Sequence, residues 1–87
     1  MITNEYIDTA LPILGKMSGR RKDKEQKAAI GDLMDELVRL KCCNKYPEPI
    51  KMLSLAATLS EFEEKHPDLK EELNNRIIKK NFRIISV

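Results

Sequence analysis

PEPIKMLSLAATLSEFEEKHP, residues 47–67, is the stretch on which the fold class turns. Pro49 suits the first turn of a helix, where its missing N–H has no partner to lose. Pro67 stops the same helix eighteen residues later. Between them Ile50, Met52, Leu53, Leu55, Ala56, Ala57, Leu59 and Phe62 put apolar side chains around more than half of the circumference. This spacing predicts a long helix over 49–66, and its breadth predicts the central, most buried element of the protein. Met52 and the small Ala56 and Ala57 allow irregular or close packing, so part of this helix is also expected to serve an oligomer or a target protein.

Upstream, Asp23 offers an N-cap with Gln26 in the capping-box position. The helix it starts gathers Ile30, Leu33, Met34, Leu37 and Leu40 on one face, with Cys42 or Cys43 beside them. NKYPEP (44–49) ends it. Before it, Thr3 or Asn4 can cap a first helix whose stripe is Tyr6, Ile7, Ala10, Leu11 and Leu14. Pro12 is expected either to kink that helix or to open a second short turn, and Gly15 and Gly19 to end the element, leaving 16–22 as a polar loop. Downstream, Asp68 with Glu71 forms a second capping box. A fourth helix through Leu69, Leu73 and Ile77 is expected to fade near Asn81, with the tail FRIISV either extended or folded back. The fold class is therefore all-α, a small bundle or orthogonal array of about four helices in one domain, 1–87.

Composition sets the outer limits. Eighty-seven residues bury only about 60–65% of their unfolded surface, too thin a core for a large internal catalytic cavity. Aromatic residues make up 5% of the chain, so the core is aliphatic. The apolar window 52–59 is too short to span a bilayer, and the N-terminus lacks a signal-peptide pattern. Two adjacent cysteines cannot staple the chain, which favours a reducing, cytoplasmic setting.

The formal charge of +2 hides a segregation. The basic segment 16–27 carries Lys16, Arg20, Arg21, Lys22, Lys24 and Lys27 against two acids, and residues 76–87 carry Arg76, Lys79, Lys80 and Arg83 against none. Such clusters attract polyanions or acidic protein surfaces. No aromatic residue interleaves the cations to stack on bases, and Lys79 and Lys80 already make sense as complements to a helix C-terminal dipole. GKMSG (15–19) has neither the upstream glycine nor the preceding strand of a phosphate loop. Cys42, Cys43 and the lone His66 lack metal-ligand spacing, and the acids of 61–72 read as a solvated helical face. The inventory indicates no enzyme, metal, cofactor or small-molecule substrate.

In size and helix pattern the chain is similar to small secretion-system chaperones, phage-encoded inhibitors and regulatory adaptors, without sharing a motif with any of them. The expected function is a non-enzymatic protein-interaction module, working as a homodimer or on a larger protein partner. It would dock through Met52, Leu55 and Leu59 of the apolar helix together with Lys16, Arg20, Arg21, Lys22 and Lys24, and through Lys79, Lys80 and Arg83. The alternative is a nucleic-acid-binding protein whose two basic patches hold phosphates. Salt-dependent titration against DNA and RNA separates the two, and a binding role for the patches gains if they lie close together in the fold.

Overall fold

Helix α1 (Ile2–Arg20) continues without interruption past Pro12, Gly15 and Gly19. Pro12 lies inside it and Gly15 and Gly19 do not end it, so 16–20 are helical and the loop shrinks to residues 21–23. A proline in a helix interior costs about 3 kcal/mol. That cost is offset because Pro12 faces solvent while Ile13, Leu14 and Met17 bury their side chains on the far side. Burying one such side chain contributes roughly 1.5–3 kcal/mol. In the computed structural model, residues 2–43 and 45–85 are described, with side chains for 3–43 and 45–80.

Asp23 caps α2 (Lys24–Cys42), accepting a 2.9 Å hydrogen bond from the Glu25 amide. Ile30, Leu33 and Leu37 bury the expected face, and Met34 and Leu40 flank it. Neither cysteine reaches the core: Cys42 is exposed and Cys43 half-buried at the end of the helix, where its amide donates to the Leu40 carbonyl at 3.3 Å. Helix α3 (Glu48–Lys65) begins after Pro47, with Pro49 in its first turn. Only His66 separates it from α4 (Pro67–Ile85). The His66 amide donates to the Phe62 carbonyl at 2.8 Å, and its own carbonyl accepts from Lys70 at 3.1 Å, so one residue closes α3 and opens α4. This places the start of α4 one residue ahead of the predicted Asp68 cap. The fourth helix also continues to Ile85, so the segment 82–85 is helical rather than extended. Ser86 and Val87, the last two residues of the FRIISV tail, lie outside the described residues.

Helices adjacent in the chain pack on one another, α4 closes back on α1, and α1 also reaches α3 across the middle. Among the described residues α2 and α4 do not meet. The core is one cluster fed by all four helices, and α1 supplies the largest share of it through Ile7, Ala10, Ile13, Leu14 and Met17. The prediction that α3 is the central helix is thus corrected. Its apolar residues encircle it too evenly for one neighbourly side to cover them, and only Lys51, Leu55 and Phe62 are buried. A stripe covers better than a ring.

The protein measures 38 × 35 × 19 Å along its principal axes, with a radius of gyration of 13.1 Å against about 12 Å for an average domain of this length. A 19-residue helix is about 28 Å long. Two dimensions well above that length and one near two helix diameters describe a flattened array.

Candidate interaction surfaces

The first surface is the outward face of α3. Spacing of four and seven residues lines up Lys51, Leu55 and Phe62 toward the core, which leaves Ile50, Leu53 and Ala57 on the opposite side. Leu53 is 72% exposed, Ile50 43% and Met52 44%, with exposed Tyr46 just ahead of the helix and Ala56 and Ala57 one turn on. Of the three apolar residues expected to dock a partner, Met52 is free to do so. Leu55 is a core residue and Leu59 packs partly against the core, so both are corrected: they look inward because they share the face of Phe62. Ile50 and Leu53 are the exposed residues of the opposite side. Their i, i+3, i+7 relation to Ala57 was present in the sequence, but so was the competing stripe through Leu55.

Lys51 is the unexpected member of the buried face. Its stem is covered, and its Nζ donates to the Lys41 carbonyl at 3.5 Å, at the C-terminus of α2. A cation there complements the helix dipole. At the other end of the same turn, Glu48 accepts the Thr3 amide at 2.8 Å and so caps the first turn of α1 from a neighbouring helix. Hydrogen bonding from Thr3 holds the Glu48 carboxyl below its ordinary 4.5. Lys41 pairs with Asp8, whose hydrogen bond and charge raise the ammonium above its ordinary 10.5. Burial pushes the Tyr6 hydroxyl up from 10.0.

The second surface joins the two basic segments. Lys16 of α1 and Arg76, Lys79 and Lys80 of α4 line one groove of about 300 Å³, floored by Pro12 and Ile13. Beside it Arg20, Arg76 and Lys79 share a hollow with Asp68, Glu71, Glu72 and Asn75. Arg21 is half-buried rather than free in a loop: its guanidinium pairs with Glu72, whose second oxygen accepts from Arg76 Nε at 3.0 Å. Lys22 and Lys24 are exposed at the α1–α2 turn, and neither lines the groove. Arg83 lies on the α4 backbone, with its side chain beyond the described ones. The fold therefore merges part of each patch and neutralises part of the first.

A third hollow, of about 320 Å³, opens between α2 and α3 and holds Asp32, Glu36, Glu61 and His66 above Leu33 and Phe62. Among the described residues no group of three or more His, Cys, Asp or Glu side chains is placed to hold a metal ion, and no helix is long and apolar enough to cross a membrane. No family model, curated protein or solved structure matches this chain.

Proposed function

We propose that this protein is a non-enzymatic interaction module that docks through the outward face of α3, and that the occupant of that face is a second copy of the chain. The observation that carries the reading is Leu53, a large apolar side chain 72% exposed between Ile50 and Ala57 on a regular helix. Charge supports self-pairing. The start of α3 is preceded by exposed Lys45, and its last turns expose Glu63 and Glu64 together with Glu61, which pairs with Lys65. Two copies of α3 packed antiparallel about Leu53 bring Lys45 of each toward the acidic end of the other, and set Ile50 against Ala57 of its partner. One helix face gives a contact at the small end of interface sizes, about 1,200 Å² in total or less. The dimer is accordingly a dynamic one, with Kd of about 1–100 μM. A reducing, cytoplasmic setting goes with this reading, since Cys42 is exposed as a free thiol.

Sedimentation equilibrium from about 5 to 500 μM tests the idea, since that range brackets the expected Kd. Wild type should shift from monomer to dimer, and Leu53→Lys should stay monomeric with an unchanged helical spectrum. A wild-type protein that is monomeric throughout, or a Leu53→Lys variant that dimerises equally, sinks it.

Nucleic-acid binding is the second reading, favoured by the meeting of Lys16 with Lys79 and Lys80. It is weakened by the engagement of Arg21 with Glu72 and by the acids that border the groove.

A further inference from the structure

We infer that the groove between α1 and α4 is a binding site for a compact oligophosphate. Among the described residues, four of the six that line it are cationic and none is acidic. Bringing Lys16 to Arg76, Lys79 and Lys80 sets like charges together, which folding alone does not reward. The structure also removes the structural reason for two of them. Lys79 and Lys80 would complement a helix dipole if α4 ended near Asn81, but the helix runs to Ile85, and the dipole's influence is confined to the last turn. Lys16, Lys79 and Lys80 make no hydrogen bond or ion pair with any described residue. No described residue occupies their three ammonium groups.

Arg76 is prepared differently. Its Nε is held by Glu72, which Arg21 in turn steadies, so the guanidinium is fixed while its two terminal nitrogens keep their donors. One anchored fork and three mobile point charges suit a cluster of phosphate oxygens.

The boundaries of the groove set the length of the ligand. Toward the start of α4 the cations give way to Asp68, Glu71 and Glu72, which repel a continuous polyanion laid along the helix. Among the described residues no aromatic side chain lines the groove to stack a base. About 300 Å³ lies at the lower end of small-molecule sites. A short chain of phosphates, carrying three or four charges, matches the four cations and avoids the acids.

Calorimetric titration with inorganic triphosphate at constant ionic strength tests this directly. Saturable binding of one triphosphate per chain is expected, weakened about tenfold or more in the Lys16→Gln/Lys80→Gln double variant, through loss of two charge-assisted contacts. Lys22→Gln/Lys24→Gln should bind as wild type, because those lysines lie outside the groove. Leu53→Lys should do so too, which keeps this test separate from that of self-association. Three results would overturn the inference: no saturable binding, equal binding by the Lys16/Lys80 double variant, or tighter binding of a DNA or RNA duplex than of triphosphate. The last would return the groove to nucleic acid.

Discussion

Glu48 does two jobs with one carboxylate. Its position in the first turn of α3 suits a negative charge next to that helix's N-terminal dipole, and its Oε1 also takes the Thr3 amide of α1. Both favour the ionised form. Its folded value is lowered, so its contribution to stability is present above the ordinary 4.5 and is lost as pH falls through the lower folded value. An NMR titration of the Glu48 side chain should give a midpoint below 4.5, with the Thr3 amide resonance moving in step. Glu48→Gln should abolish the coupled shift of Thr3. A midpoint at or above the ordinary value contradicts the capping role. Lys51, one turn on, plays the converse part by serving the carboxyl end of α2. Together these two residues fasten α3 to the ends of two other helices, and sequence spacing gave no sign of either bond, because the partners lie 45 and 10 residues away.

Helix α1 shows how an element overrides its own local signals. Pro12, Gly15 and Gly19 each favour an ending, yet the helix continues because Ile13, Leu14 and Met17 are buried only if it does. Replacing Pro12 tests the balance. It is exposed, so Pro12→Ala removes the backbone penalty with little packing loss and should stabilise the protein by about 1–3 kcal/mol in urea denaturation. A neutral or destabilising result means the proline ring itself is needed. The amphipathic faces of α1, α2 and α4 were readable from periodicity, because each has one apolar side. That of α3 was not, because an apolar ring does not say which part the neighbours cover. Hence Leu55 and Leu59 read as surface candidates, while Leu53 and Ile50 are the residues left outside.

At the scale of the molecule, one core unites four helices, and α1 touches the other three. Leu14 is fully buried in that cluster. Leu14→Ala should cost about 2–5 kcal/mol, with all helices lost in one transition by circular dichroism and by amide exchange alike. A variant that loses α1 alone would show that α3 and α4 form a separate unit. The flattened shape also explains why so much apolar surface stays on α3: a thin array gives that helix neighbours on one side only.

By itself the sequence determined the all-α class, the number of helices, the Asp23 cap and the stop at Pro67. These follow from backbone sterics and from apolar periodicity within a turn or two. Only the tertiary structure decided which side of α3 is buried, that Arg21 is spent on Glu72, and that Lys16 stands beside Lys79 and Lys80. Such pairings join residues some fifty to sixty positions apart, and they depend on how helices lie against one another. Local propensity carries no information about that.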